Sequence, residues 1–344
     1  MKIQENFSLA PLTTLGIGGP ARWFVEAASE GEVAEACECA RERGVPLFVL
    51  GGGSNVLVAD SGFNGLVLRV AIESLELKGE LLRASAGVAW ERCVEQSTIA
   101  RLAGIECLAG IPGTVGGTPV QNVGAYGQEV ASVIDRVRAF DRMAQEFVEF
   151  SNAECGFAYR KSRFNSTDRG RYVVTQVVYR LRRRGEPALA YGDLKAHFRD
   201  WKQPPSLTEV ADAVREIRRS KGMLLVEGDP DCRSAGSFFK NPAVVPEAAE
   251  RVRRFAAHAG IAVRMFAADE GRVKIPAAWL IEQAGFAKGY KMGAAGISSR
   301  HTLALINRGG ATSVEILALA EKIRKAVEDK FGIKLEMEPE QVGF

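Results

Sequence analysis

Histidine is scarce in this chain, with three among 344 residues, at His197, His258 and His301. Cysteine occurs six times, at Cys37, Cys39, Cys93, Cys107, Cys155 and Cys232, and no two form a CxxC pair. A zinc or iron–sulfur site needs clustered Cys and His ligands, so the expected metal is none. Scattered cysteines without a disulfide framework suit a reducing, cytoplasmic compartment. No apolar run reaches the roughly 18 residues of a membrane helix. The opening MKIQENFSLAPLTT lacks the apolar segment of a signal peptide. Nor is there an excess of one charge: 45 Lys and Arg stand against 42 Asp and Glu, a formal net of +3. That balance argues against a nucleic-acid footprint, and the RLRRR run at Arg180–Arg184 reads as a solvated strand end.

What is present is enough apolar material for sizeable cores, 47% of the chain, over a length that suggests two or three domains. Residues 29–43 have the spacing of an amphipathic helix, with Ser29 as N-cap and Gly44 as stop. Strands are expected at Leu47–Leu50, Leu66–Val70 and Leu81–Ala86, and a helix at Trp90–Leu102. Ile134–Asp141, Phe147–Phe150 and Tyr172–Leu181 alternate as strands do. Beyond the Pro- and Gly-interrupted stretch 185–206, helices are expected near 207–220, 246–258, 276–284 and 312–330, with strands at Leu303–Ile306 and Ile333–Leu335. The main boundary falls near residue 222.

Two loops stand apart. Gly51-Gly52-Gly53-Ser54-Asn55 follows the first strand, and Ala109–Gly127, AGIPGTVGGTPVQNVGAYG, is glycine-rich and carries no charged side chain. Nineteen such residues exceed what a surface turn needs. Glycines let backbone N–H groups approach an anion, so the pair suggests a cradle for a large phosphorylated cofactor. A third stretch, Gly16-Ile17-Gly18-Gly19-Pro20-Ala21, matches the GxGxxA dinucleotide pattern, but that motif needs a strand before it and a helix inside it. Here Thr13 and Thr14 precede it, and Pro20 with RWFVEA reads as a strand.

Further motifs are YRKS at 159–162, AGSFFKNP at 235–242, AAWLIEQAG at 277–285 and the acidic tail LEMEPEQVGF. With TTLGIGGPA, LGGGSNVLVAD and the long glycine loop, in this order and spacing, they make the chain resemble the UDP-N-acetylenolpyruvoylglucosamine reductases over nearly its whole length. These reductases, also called UDP-N-acetylmuramate dehydrogenases, are flavoenzymes of bacterial cell-wall precursor synthesis. The resemblance implies an α+β architecture. Two FAD-binding subdomains of the vanillyl-alcohol-oxidase type, 1–68 and 69–222, would precede a C-terminal α+β substrate-binding domain, 223–344, whose tail returns to the active site.

It also implies roles. Non-covalent FAD is held at its pyrophosphate by Gly51, Gly52, Gly53, Ser54, Asn55, Gly116, Gly117 and Thr118, with Gln121, Asn122, Gly124 and Tyr126 along the flavin. NADPH reduces the flavin, then UDP-N-acetylglucosamine enolpyruvate is reduced to UDP-N-acetylmuramate. Arg160 meets the charge that develops on the substrate carboxylate, with a planar fork suited to bidentate binding. Ser237 is the proton donor. A tail glutamate completes the set: spacing from Phe331-Gly332 selects Glu338, with Glu340, which follows Pro339, as competitor. Tyr191, Lys221, Asn241 and Lys274 match substrate contacts. The chain departs from the family pattern at Phe266, where relatives often have tyrosine, and in a tail without the usual arginine; His301 stands behind the site. The alternatives are an FAD-dependent alcohol oxidase or dehydrogenase of the same fold, and a non-catalytic nucleotide-binding module. No FAD-tethering histidine precedes His197, and Arg160, Ser237 and a tail glutamate are all retained.

Overall fold

The computed structural model describes residues 1–344, the side chain of Asp269 excepted. The fold mixes helix and sheet in two units.

The first unit comprises Met1–Ser8, Pro20–Gly53 and Phe63–Ser220. Its smaller sheet has four strands in the order Ile3–Ser8, Pro20–Ala27, Phe63–Val70, Leu47–Leu50. The first pair is antiparallel and the other two are parallel. Helix α1 (Glu30–Glu42) is the crossover that carries the chain from Pro20–Ala27 to Leu47–Leu50, the two parallel strands flanking Phe63–Val70. Ser29 caps α1 by accepting the Glu32 N–H at 3.2 Å. Val33, Ala36, Cys37 and Ala40 recur on one face and pack on Trp23, Val25, Leu66 and Leu68. The larger sheet is antiparallel, with five strands in the order Glu146–Ser151, Ile134–Asp141, Tyr172–Arg180, Leu81–Ser85, Leu75–Lys78. Helices α2 (Trp90–Ile99) and α4 (Leu207–Ser220), the latter preceded by the short α3 (Gly192–His197), bring Trp90, Val94, Val210 and Val214 into one core with Val137, Val177 and Tyr179. Full burial of each large apolar side chain contributes about 1.5–3 kcal/mol.

The second unit comprises Leu9–Gly19, Ser54–Gly62 and Lys221–Phe344. Its helices are α5 (Pro246–His258), α6 (Ala277–Gln283) and α7 (Ser313–Phe331). A capping box of Thr312 and Glu315 starts α7, and Gly332, at φ 65°, ends it. Ile316, Leu319, Ile323 and Val327 of α7 pack with Phe238, Phe239, Leu280, Ile281 and Leu305. Two three-stranded antiparallel ribbons and the parallel pair Glu340–Val342 with Val56–Val58 complete the unit. No helix among the described residues is long and apolar enough to cross a membrane.

Three sequence expectations need correction. Ile333–Leu335 is no strand: Ile333 and Leu335 point into the core, but the Leu335 carbonyl accepts the Arg324 Nε–H at 3.0 Å instead of a ladder amide. The final strand is Glu340–Val342, in the segment the sequence presents as an acidic tail. Helix α2 stops at Ile99 because Arg101 turns to φ 58°.

Candidate functional site

In the first unit the two glycine loops meet. A Cβ on Gly52 would lie 2.5 Å from the Gly113 Cα, and one on Gly51 would lie 3.2 Å from the Thr114 hydroxyl oxygen. Gly53 follows at φ 63°. Gly52 excludes a side chain by contact with backbone, and Gly53 disfavours one by its left-handed turn. Thr114 Oγ1, at this junction, is buried and among the described residues has no hydrogen-bond partner. A buried hydroxyl without a partner costs about 1–3 kcal/mol. The junction therefore fits a diphosphate, which would accept from that hydroxyl and from loop amides. Thr114 was not singled out from the sequence; a hydroxyl between Gly113 and Val115 is the only signal it offers.

The remaining loop residues are more constrained than the sequence suggests. Gly116, Gly117 and Thr118 donate their N–H groups inside the protein, to Ala86, Thr114 and Val115 carbonyls at 2.9, 3.1 and 3.0 Å. A Cβ on Gly116 would meet the Ala86 Cβ at 2.7 Å. The Thr118 hydroxyl donates to the Val115 carbonyl (2.8 Å) and shares a 2.6 Å bond with the buried Tyr179 hydroxyl. Burial pushes Tyr179 well above the usual phenol range. Asn122, at φ 45°, ties the loop together: its amide donates to Glu129 (2.9 Å) and to the Ala158 carbonyl (3.0 Å), and its oxygen accepts the Ala131 N–H (3.1 Å). Gln121 is half-buried beside it.

The YRKS motif is a tight turn fastened to this loop. Ala158 and Lys161 exchange backbone bonds at 2.9 and 3.0 Å, and Arg160 stands between them at φ 53°. The left-handed region costs a residue other than glycine about 1–3 kcal/mol. Ser162 pins the turn by donating to the Val120 carbonyl at 2.6 Å, and Arg160 Nη2 donates to the Gly124 carbonyl at 2.9 Å. Tyr126, buried at φ 49°, forms a T-shaped pair with Tyr191, ring centroids 5.2 Å apart; Tyr191 remains 43% exposed. Arg218 was also missed. It falls four residues after Val214 on the apolar stripe of α4, and donates its Nε–H to the Gly110 carbonyl at 2.9 Å. Burial pulls its guanidinium pKa down, opposed by Tyr126 and Glu91.

In the second unit the fold brings Ser237 and Glu338 together. Glu338 N–H donates to the Phe238 carbonyl and Lys240 N–H to the Glu336 carbonyl, both at 2.9 Å, with Phe239 opposite Met337. Ser237 thus sits one residue from the cross-strand partner of Glu338, and both are half-buried. Glu340 is exposed and lies in the last strand, where its N–H donates to the Asn55 carbonyl at 3.0 Å. The Asn55 amide donates to the Glu338 carbonyl at 3.4 Å. Ser54 precedes it at the start of this unit's second segment. Asn241 accepts the Ala277 N–H at 2.9 Å at the head of α6. Lys274 is the central strand residue between Ala243 and Phe266, so Phe266 and Lys274 share a face. Lys221 opens the unit's last segment.

Comparison with known proteins finds matches in both parts of the chain. Residues 21–146 match the family model of an FAD binding domain, and residues 229–342 match that of the UDP-N-acetylenolpyruvoylglucosamine reductase C-terminal domain. The chain is 46% identical to the UDP-N-acetylenolpyruvoylglucosamine reductase of Streptomyces coelicolor, over 97% of its own length and 89% of the relative's. It is also 46% identical to that of Thermobifida fusca, over 98% of both. Among solved structures it is similar to the UDP-N-acetylenolpyruvylglucosamine reductase of Thermus caldophilus, with a TM-score of 0.68, 27% identity and coverage of 99% of this chain and 98% of that one. The chain, an oxidoreductase with an FAD-binding domain, belongs to the UDP-N-acetylenolpyruvoylglucosamine reductase family.

Proposed function

We propose that this protein reduces UDP-N-acetylglucosamine enolpyruvate to UDP-N-acetylmuramate in the cytoplasm, with NADPH as reductant, for peptidoglycan precursor synthesis. Residues 1–68 and 69–222 serve as the FAD-binding subdomains and 223–344 as the substrate-binding domain. When bound, FAD would supply hydride transfer between NADPH and the terminal carbon of the enolpyruvyl double bond. Gly51–Gly53, the Thr114 hydroxyl and the neighbouring loop would hold its diphosphate. Lys221, Lys274, Asn241 and Tyr191 would hold the UDP-sugar.

Once hydride has added, an electron pair is left at the α-carbon and spreads into the adjoining carboxylate. Arg160 supplies a fixed cation for that carboxylate, which stabilises the charge as it forms. Glu338, in its acid form, shares the charge through a hydrogen bond. Ser237 gives its hydroxyl proton to the α-carbon; a serine is a weak acid, but the carbanion is a strong base. The methyl and methine of the lactyl ether result. The observation that supports this reading is the pairing of the Ser237 and Glu338 segments, which makes a hydroxyl and a carboxyl residue about a hundred positions apart near neighbours along the backbone.

The test is an anaerobic two-step absorbance experiment. NADPH should bleach the oxidised-flavin band, and UDP-N-acetylglucosamine enolpyruvate should then restore it with lactyl-ether product. Ser237→Ala should slow only the second step, by about 10²–10⁴-fold. Flavin that only oxygen reoxidises would replace this reading with the oxidase one.

A further inference from the structure

The site residues Lys221 and Ser237 lie on one stretch of chain, and the structure holds that stretch with a charge cluster that no part of the proposed chemistry uses. Asp229 and Asp231 flank Pro230 in a single turn, where Asp229 accepts the Asp231 N–H at 3.0 Å. Two carboxylates so close repel unless a cation lies between them. Arg300 provides it: Nε donates to Asp231 at 2.9 Å and Nη2 to Asp229. Asp231, nearly buried, also accepts the Ser299 N–H (3.1 Å) and hydroxyl (2.7 Å). The turn 298–303 is thereby latched to the turn 229–232.

Both ends of the latch lead to site residues. Gly222, at φ 65°, packs on the Arg300 head: a Cβ there would lie 3.0 Å from Arg300 Nε. Lys221 is its neighbour. At the other end, Arg300 and His301 donate their N–H groups to the Ser298 hydroxyl at 3.0 and 3.2 Å, and His301 Nδ1 accepts the Leu303 N–H at 3.1 Å. Leu303 in turn accepts the Phe238 N–H at 2.8 Å. Upstream, Asn307 N–H donates to the Arg233 carbonyl at 2.9 Å, Ser234 bridges to Ile306, and the Thr14 hydroxyl donates to the Ser234 carbonyl at 2.6 Å. The arch Ala235–Ser237, with Gly236 at φ 70°, is therefore slung between Ser234 and Phe238. Its downstream support is the turn that Arg300 places.

We propose that Arg300, by gripping Asp229 and Asp231, is a positioning residue for the Ser237 hydroxyl. It touches no substrate and acts through the Leu303–Phe238 bond. The proposal rests on Ser237 being the proton donor. Displacing a reacting group by about 1 Å costs about 10²-fold, so the latch should be felt in the proton-transfer step and not in flavin reduction.

The experiment follows the two half-reactions separately in holoenzyme carrying Arg300→Met, Arg300→Lys or Ser237→Ala. Arg300→Met should retain FAD and be reduced by NADPH within about twofold of the parent. Its reoxidation by UDP-N-acetylglucosamine enolpyruvate should slow about tenfold or more, with a larger solvent deuterium isotope effect. Arg300→Lys should recover part of the rate, because an ammonium reaches one carboxylate where the guanidinium spans two. If Arg300→Met does not hold FAD, the triple variant Asp229→Asn, Asp231→Asn, Arg300→Met removes the unbalanced charges and takes its place. Parental reoxidation rate and isotope effect in a folded Arg300 variant, with Ser237→Ala slow, would overturn the latch. Parental reoxidation in Ser237→Ala would overturn the proton-donor reading beneath it.

Discussion

Gly52 shows how close approach, rather than turn geometry, can dictate a glycine. Its backbone requires no positive φ, yet a methyl group would sit 2.5 Å from the Gly113 Cα. Gly52→Ala should separate the two loops, lower the flavin-to-protein absorbance ratio on purification and cost about 1–3 kcal/mol of stability; full flavin content and an unchanged urea midpoint would refute that reading. Asp141 shows how one carboxylate organises a hairpin. It accepts the Met143 and Ala144 N–H groups at 2.9 and 3.2 Å and takes Arg171 Nε at 3.0 Å. The Arg171 bonds, then those amides, hold its pKa below the usual carboxylate range against the effect of burial. A depressed pKa means stability that is present above the unfolded value of about 3.9 and lost as pH falls through the folded one. Asp141→Asn should therefore lower the urea midpoint at pH 7, with the gap to the parent narrowing as pH drops below 4. A gap constant with pH would exclude the ionic origin. The motif residues were legible as types, but their engagement was not. The side chains of Thr118 and Asn122 bond Tyr179, Val115, Glu129, Ala158 and Ala131, partners that the sequence does not name.

Helices were read closely because their ends are written locally. Ser29, the Thr312–Glu315 box and Gly332 sit where the chain starts or stops a helix. Strands depend on a partner, and the tail illustrates the difference. Ile333–Leu335 alternates like a strand and has no ladder, while Glu340–Val342 looks like solvated tail and pairs in parallel with Val56–Val58. That pairing carries the chain past Glu338, so it sets where the Glu338 carboxyl lies. Glu340→Pro deletes the N–H that bonds the Asn55 carbonyl. It should slow flavin reoxidation by substrate more than Glu340→Ala, which keeps the amide and should stay near the parental rate. If Glu340→Ala instead matches the loss in Glu338→Gln, Glu340 is the acid.

Across the chain as a whole, the cysteines report on how completely the cores close. All six are free; Cys39 is half-buried and the other five are buried. Burial pushes the Cys37 thiol up to about 11 and the Cys93 and Cys155 thiols to about 12, with Cys107 higher still. A thiol-exchange reagent at pH 8 should therefore titrate Cys39 first in the native protein, and all six after denaturation. Rapid reaction of Cys93 or Cys107 would show that the core of the first unit opens. The division into units was only partly legible. A composition change near residue 222 is visible in the sequence, but the assignment of Leu9–Gly19 and Ser54–Gly62 to the second unit is not. Those segments are short, and the pairs that place them, such as Val56 with Glu340, are hundreds of residues apart. Local chemistry was enough to specify most helix limits and the glycine loops. That Thr114 Oγ1 has no partner among the described residues, that the Glu338 segment pairs with the Phe238 segment and that Arg300 grips Asp229 and Asp231 depend on long-range hydrogen bonds, because a donor's partner depends on which distant strand or turn the fold delivers to it.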